Sequence, residues 1–392
     1  MERVLVAPTK SKISDSEYGK NYNIINNFDS DIFKIDVLTQ HVEDEPSPTN
    51  VCAHPIGGKS EITYKAKLYA HILTQLNNGS TNIYHHMEMN YGWFNPVIIS
   101  GRYKDIPIVI GPCQTGHKIF EEEFNNLLSS WTGTQVNKNL SDLLYKIAIP
   151  TEKLLISPIR ETLFKNTIER ANKIIVVHEE AKKFYSTITD ESKIEVIPLG
   201  VDINEFEYTA PKNNCNIVAI GSLRERKGYD ILLDAFKQIK NQYESSVLHI
   251  FGEGPRKSEL VSLSKELGIV SSVHFHGYVD QNIIRQHLSE SRVFVHPSRS
   301  ESFSLVRLEA MASGSPVVIS NTSGAEEMVD DGKEGFVVPI ESSKDIYHAV
   351  NKIFSDFSLT KQISKNARQK VEHKYRWEKI ASEYMRVYNS LI

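Results

Sequence analysis

Within Glu301-Ser-Phe-Ser-Leu-Val-Arg-Leu-Glu309 two carboxylates stand eight positions apart, between an apolar run and a segment of small residues. Val293-Phe-Val-His-Pro297 reads as a short buried strand and 298–302 as a loop. Ser304 is placed to N-cap a helix that runs to Ser313 and is closed by Gly314 and Pro316. At about 100° per residue, Leu305, Leu308, Met311 and Ala312 share one apolar arc; Glu309 falls inside it and Arg307 outside. A carboxylate facing inward needs a partner, because a buried charge is costly unless paired. An Arg or backbone amides could be that partner, and the pair would then only hold loops together. The surroundings favour a ligand. A Glu at a strand's carboxyl end, the free amides of a helix start and a second inward Glu would put hydroxyl acceptors on both sides of an anion cradle. Sugars need hydroxyl acceptors, and nucleotides bring phosphates.

A second cluster, Gly221-Ser-Leu-Arg-Glu-Arg-Lys-Gly228, follows the apolar run Ile217–Ile220 and precedes a helical pattern. It therefore lies at the carboxyl edge of a sheet, where open α/β folds bind ligands, and presents Arg224, Arg226 and Lys227 near a helix N-terminus. A diphosphate fits such a loop. Charge runs are more often merely solvated, but in a doubly wound sheet the two clusters share one edge, and that convergence favours the ligand.

The elements that must position these residues are clearest in the second half. Strand-like runs occur at 216–221, 247–252, 273–277, 293–297, 316–320 and 335–339. Helical patterns at 229–239, 256–267, 281–288, 304–313, around Glu326 and at 344–354 separate them, which predicts a doubly wound parallel sheet. The first half alternates less regularly, with strands expected at 4–7, 33–38, 82–86, 106–111, 173–177 and 194–198. Pro198-Leu-Gly-Val-Asp202 marks the boundary, giving domains 1–198 and 199–375. The closing segment 376–392 carries Trp377, Ile380, Ala381, Tyr384, Val387, Tyr388 and Leu391 at helical spacing, a packing stripe on a long amphipathic helix.

With 392 residues, 40% hydrophobic and 24% charged, the chain can build two ordinary cores, and its net charge of −4 argues against nucleic acid as a partner. Cys52, Cys113 and Cys215 are scattered without metal-ligand spacing, and their odd count argues against a disulfide framework, so a cytoplasmic setting is expected. The start does not resemble a signal peptide and no apolar run reaches membrane-spanning length, so any membrane contact is expected to be peripheral. Between Phe120 and Lys173, leucines alternate with Lys138, Lys146, Lys153, Arg160, Lys165 and Arg170. That surface could dock at the inner face of a membrane on anionic head groups. Asp142, Glu152, Glu161 and Glu169 dilute the charge and favour a core-facing helix with a solvated basic side. Two look-alike motifs are set aside. Ala53-His-Pro-Ile-Gly-Gly-Lys-Ser60 approximates a phosphate-binding loop, but Glu45–Asn50 before it cannot form the strand such a loop needs. Asp29-Ser-Asp31 has metal–diphosphate spacing but precedes a strand and reads as a turn.

The C-terminal half resembles retaining glycosyltransferase family 4 of the GT-B fold. The pieces that carry the resemblance are Val196–Phe206, Gly221–Gly228, Phe251-Gly-Glu-Gly-Pro255, Phe275-His-Gly-Tyr278, His296-Pro-Ser-Arg-Ser-Glu301, Ser302–Gly314 with Pro316-Val-Val, and Glu327–Gly335, all in the family's order. The resemblance implies two Rossmann-like domains facing across a cleft, an acceptor-side N-terminal one and a nucleotide-sugar C-terminal one, with the closing helix returning to the first. It implies that Glu309 accepts hydrogen bonds from the donor ribose, that Glu301 contacts the transferred sugar and that Lys227 neutralises the diphosphate. Gly221, Ser222, Arg224, Arg226, Gly277, Tyr278 and the backbone of Ser302, Phe303, Ser304 and Leu305 would complete the donor site. His117, in Pro107–His117, resembles the family's His facing the donor sugar, and a loop after a parallel strand suits that place. Three departures stand out. Ser222 occupies the usual place of a diphosphate Arg, Ser302 and Ser304 replace glycines, and Thr9–Gly19 replaces a Gly-Gly loop.

The expected activity is transfer of a hexose-type sugar from a UDP- or GDP-sugar substrate to a hydroxyl on a glycan or lipid-linked acceptor, in carbohydrate biosynthesis, with no cofactor and no metal. The retaining outcome comes from the resemblance alone. The alternatives are a GT-B nucleotide-sugar epimerase and a non-catalytic nucleotide-sugar-binding subunit.

Overall fold

Apolar runs bounded by glycine or polar residues become parallel strands in both halves of the computed structural model, which describes residues 1–9, 20–28, 30–39, 48–57, 61–87, 95, 98, 100–113 and 157–392. The chain divides into two compact units, Met1–Ile197 with Tyr384–Ile392, and Pro198–Glu383. Both are α/β with a wholly parallel sheet, as the GT-B expectation requires.

In the first unit, β1 (Glu2–Thr9), β2 (Phe33–Thr39), β3 (Val51–Pro55), β4 (Ile83–His86), β5 (Ile108–Cys113), β6 (Lys173–Val176) and β7 (Ile194–Val196) lie in the order β3-β2-β1-β4-β5-β6-β7. Helices α1 (Lys20–Asn26), α2 (Glu61–Asn77), α3 (Ser157–Arg170) and α4 (Glu179–Ser186) accompany them. The core joins Leu5, Tyr64, Ile72, Ile110 and Ile174. β3 is not among the strands the sequence predicts. It is a five-residue edge strand with a polar, half-exposed interior, so it lacks the apolar run of a buried parallel strand. It takes in Ala53–Pro55, the first three residues of the phosphate-loop look-alike, while 48–50 ahead of it form a turn and 45–47 and 58–60 lie outside the described residues.

The second unit contains β8 (Asn216–Ile220), β9 (Val247–Phe251), β10 (Val273–Gly277), β11 (Val293–His296), β12 (Val317–Ser320) and β13 (Gly335–Val338), in the order β10-β9-β8-β11-β12-β13. Its helices are α5 (Tyr229–Gln242), α6 (Lys257–Glu266), α7 (Gln281–Glu290), α8 (Leu305–Ala312), α9 (Ala325–Met328), α10 (Ser343–Ser355) and α11 (Phe357–Lys374), with α12 (Trp377–Asn389) closing the chain. One face of the sheet packs on Leu232, Phe236 and Ile239, the other on Leu308, Met311 and Val371. Burial on both faces explains why these strands read as near-continuous apolar runs. The sheet reverses direction between β8 and β11, and a crevice opens at such a reversal outside the strands' carboxyl ends.

Helix α12 uses its predicted stripe for packing. Trp377, Ile380, Ala381, Tyr384, Val387 and Tyr388 are buried, and residues 384–392 belong to the first unit. Tyr388 donates its hydroxyl to Nδ1 of His85 at 2.6 Å, while Nε2 of His85 donates to the Gly111 carbonyl at 2.9 Å. Burial pushes the His85 pKa down to about 3, so the ring is neutral with its proton on Nε2. Both His85 and His86 are buried in this unit. Tyr388→Phe strips a buried acceptor of its donor and should lower stability by about 1–3 kcal/mol in urea unfolding, with little change in the slope of the transition. An unchanged midpoint would show that this hydrogen bond contributes nothing.

Candidate active site

The loops after β8 and β11 flank the point where the second sheet reverses, and several close contacts lock them together. Gly228 has φ +65°, and a Cβ there would lie 2.1 Å from the Pro297 carbonyl oxygen. Gly252, at φ +129°, stands equally close to the Gly221 carbonyl. Only glycine serves at either place. Tyr229, at the start of α5, donates its hydroxyl to the Gly221 carbonyl at 3.0 Å. Arg299 clamps the two loops: its backbone N–H donates to the Arg226 carbonyl at 2.7 Å, and its guanidinium holds Asp230 through two hydrogen bonds of 2.9 and 2.7 Å. The same guanidinium reaches the Glu225 carbonyl and Glu341. Asp230 and Glu341 hold the Arg299 pKa above its already high ordinary value.

On this frame Lys227 and Glu301 meet. The Lys227 ammonium donates to Oε2 of Glu301, and both side chains are only 10% exposed. Burial pushes the Lys227 pKa down and the Glu301 charge pushes it back up. Arg226 Nη1 lies 3.7 Å from the same carboxylate oxygen. Beneath them, buried His296 accepts from Nε of Arg307 on Nδ1 at 2.9 Å. Its Nε2 therefore carries the proton and lies 3.3 Å from the Ser298 hydroxyl and 3.8 Å from Oε2 of Glu301. Burial, reinforced by Arg307, Lys227 and Arg226, holds the His296 pKa well below the ordinary histidine range, so the ring is neutral. Burial brings the Arg307 pKa down to about 10, still high enough to keep the guanidinium charged, and Arg307 also donates to the Thr322 hydroxyl at 2.8 Å.

Lys227, Arg226 and Arg307 thus surround one carboxylate, leaving a positive excess. Arg224 precedes Arg226 and Lys227 on the same loop and is half-buried. Ser304 is the N-cap of α8 but makes no side-chain capping bond. The first-turn amides of Leu305 and Val306 are those a helix leaves without an intrahelical carbonyl, whereas the Arg307 N–H donates to the Ser304 carbonyl at 3.2 Å. The group can hold an anion with several oxygens and position a carboxylate beside it.

Not every expected residue falls where the sequence places it. Arg307, expected outside the apolar arc of its helix, is 1% exposed, whereas Glu309, expected inward, is half-buried. Helix α8 packs on β12 and α11 and turns Leu305, Val306 and Glu309 to its less covered side, so Arg307 falls on the buried side with Leu308 and Met311. Gly277 ends β10 and Tyr278 follows it, two strands from the reversal. Gly277 accepts from the Gly252 N–H at 2.8 Å, and Tyr278 is 67% exposed. Ser222, Ser302 and Phe303 line the loops and are half-buried. His117 lies outside the described residues, as do most of 120–173 and the loop after β1. The sequence reading gives no role to His296, Arg299, Arg307 or Asp230. The one signal for His296 is a polar residue ending an otherwise apolar strand.

Residues 201–370 match the family described as Glycosyl transferases group 1. An uncharacterized glycosyltransferase of Methanocaldococcus jannaschii is 29% identical over 231 residues, 55% of this chain and 59% of that protein. The GDP-mannose-dependent alpha-(1-6)-phosphatidylinositol monomannoside mannosyltransferase of Mycobacterium tuberculosis is 28% identical over 51% of this chain and 57% of its own length. The chain thus spans somewhat over half the length of these relatives. Among solved structures, Anabaena HepE in complex with UDP aligns over 100% of both chains at 18% identity with a TM-score of 0.72, which establishes the shared fold.

Because His296 is held neutral, the unfolded chain binds a proton there below a pH of about 6.5 that the folded chain does not. Its contribution to stability is complete above that pH and is lost as pH falls toward the folded pKa. The His296 Cε1–H resonance should keep its neutral position down to a pH of about 5, and His296→Gln should flatten the fall in unfolding free energy between pH 7 and 5. A ring that titrates near 6.5 would contradict this arrangement.

Proposed function

We propose that this chain, whose residues 201–370 belong to the glycosyl transferases of group 1, moves a hexose-type sugar from a nucleotide diphosphate sugar to a hydroxyl acceptor, with retention at the anomeric carbon. The observation that carries the reading is the meeting of Lys227, Arg226 and Glu301 at the sheet reversal, beside the start of α8.

Breaking the glycosidic bond to a nucleoside diphosphate builds negative charge on the leaving oxygen. Lys227, Arg226, Arg224 and the amides of Leu305 and Val306 are the groups that would meet it, and prepositioned cations and amides stabilise such charge without reorganising. In this structure Glu301 is the counter-ion of Lys227. A diphosphate that took Lys227 would release the Glu301 carboxylate to accept hydroxyls of the transferred sugar. His296 stays neutral and donates through Nε2, which limits where that carboxylate can swing. Glu309 is assigned to the donor ribose and His117 to the sugar, both on the family resemblance. Gly277 and Tyr278 would border the base. No residue in this arrangement requires a metal.

The acceptor is assigned as a glycan or lipid-linked hydroxyl, because relatives include an enzyme named for a phosphatidylinositol mannoside. No helix among the described residues is long and apolar enough to cross a membrane.

The test is to incubate purified protein with UDP-, GDP- and ADP-sugars, with and without a lipid or glycan extract, following nucleotide release, donor isomerisation and labelled product. Nucleotide release should rise with acceptor, persist in chelator and fall about 10²–10³-fold in Lys227→Ala, the loss expected when a developing oxyanion loses its main counter-ion. Glu309→Ala should act chiefly by raising KM for the donor. Isomerisation without acceptor would support an epimerase, and donor binding without turnover a silent subunit; either result would overturn the proposal.

A further inference from the structure

The first sheet brings together three side chains that the sequence keeps apart. β2 and β3 pair in parallel with Asp36 opposite Cys52 and Leu38 opposite His54. Side chains at positions two apart on a strand share a face, so Cys52 and His54 stand next to each other on the face that carries Asp36. Oδ1 of Asp36 accepts from Nε2 of His54 at 3.0 Å. The ligand atoms of Asp36, Cys52 and His54 all lie within 4.8 Å of one another. Arg3, on β1, faces the other carboxylate oxygen at 3.7 Å, which orients the carboxylate and leaves Oδ1 to the cluster. Cys52 is exposed and His54 39% exposed, so solvent has direct access.

We propose that Asp36, Cys52 and His54 form a binding site for a divalent ion of the zinc class, on the sheet edge of the first unit and independent of the glycosyl transfer site. Thiolate, imidazole and carboxylate are the ligand types that zinc takes together, usually in a tetrahedron with water in the remaining place when the protein supplies three. Zinc–ligand distances of about 2.0–2.3 Å put ligand atoms roughly 3.3–3.8 Å apart in that geometry. The ligand atoms would have to close from within 4.8 Å of one another to this spacing. Magnesium and calcium demand oxygen shells and would be excluded. On binding, Cys52 gives up its thiol proton to solvent, and the His54 proton moves from Nε2 to Nδ1, leaving Nε2 as the ligand. The ion would add a bridge between β3, an edge strand, and β2, beside the backbone ladder and the His54–Asp36 hydrogen bond.

The spacing of the three along the chain gives no hint of this. Cys52 and His54 are separated by a single residue, but their partner lies on the preceding strand, and only the register joins them.

Cobalt(II) titration of the full-length protein under a non-chelating reductant is the test. The expected result is one equivalent of bound cobalt with tetrahedral d–d bands and a thiolate-to-cobalt charge-transfer band, both abolished by added zinc. The charge-transfer band should be lost in Cys52→Ser and in His54→Ala and kept in Cys113→Ser and Cys215→Ser. Zinc should also raise the thermal midpoint of the wild-type chain, reversibly with chelator, and not that of Cys52→Ser. Cys52 is exposed, so its substitution is not expected to impair folding; circular dichroism of the variant checks this. A charge-transfer band that survives Cys52→Ser, or no cobalt binding at micromolar concentrations, overturns the proposal. So do d–d bands without the thiolate band. That last result would place the ion on the second unit's surface group of His249, His274, His276 and His287, where Nδ1 of His249 and Nε2 of His276 are 2.9 Å apart.

Discussion

Lys227 is an ammonium nine-tenths removed from water, and such a group must have an anion within reach. In this structure the anion is Glu301, and the two loops of the second unit are arranged around that requirement. Removing one partner of a buried pair typically costs about 3–5 kcal/mol, because the other charge is left without compensation. Replacing the partner with another anion need not. A buried cation whose counter-ion can be exchanged for a diphosphate is therefore both a structural element and a binding device, and His296 and Arg307 make it specific. With Nδ1 occupied by Arg307, His296 turns Nε2 to the Ser298 hydroxyl at 3.3 Å, with Oε2 of Glu301 at 3.8 Å, and the buried guanidinium keeps the surroundings positive.

The device works because its frame is rigid. Parallel strands order the sheet so that β8 and β11 are neighbours although their loops are far apart in sequence. Two glycines allow backbones to approach more closely than any side chain would permit. Arg299 then spans both loops, taking the Asp230 carboxylate with a two-pronged grip that fixes direction as well as distance.

Much of this was legible in the residues themselves. All six strands of the second sheet are legible, the central β11 and β12 as apolar runs because burial on both faces demands them and the edge strand β10 by its alternation, and Lys227 and Glu301 declare themselves as charges beside strand ends. Side-chain direction was harder to read. Arg307 is buried where it bonds His296 and Thr322, which an apolar pattern cannot announce, while Glu309 shares the half-buried side of its helix with Leu305 and Val306. Helix α11 is unassigned in the sequence because only Thr360, Ile363, Ser364, Ala367 and Val371 of its eighteen residues are buried, two of them polar. Strand β3 and the meeting of Asp36, Cys52 and His54 were invisible because both depend on strand register, a long-range property. Arg299 and His296 look like ordinary polar residues until the loops they join are seen together.

The central claim is that the second unit grips the phosphates of a nucleotide through Lys227. It is tested most directly by calorimetric titration of a nucleoside diphosphate and of the same base as its bare nucleoside, into the wild-type chain and into Lys227→Met. The account predicts that the substitution weakens the diphosphate about tenfold or more, roughly 1.4 kcal/mol, while leaving the nucleoside's affinity unchanged. Equal losses for both ligands, or an unchanged diphosphate affinity, would contradict it.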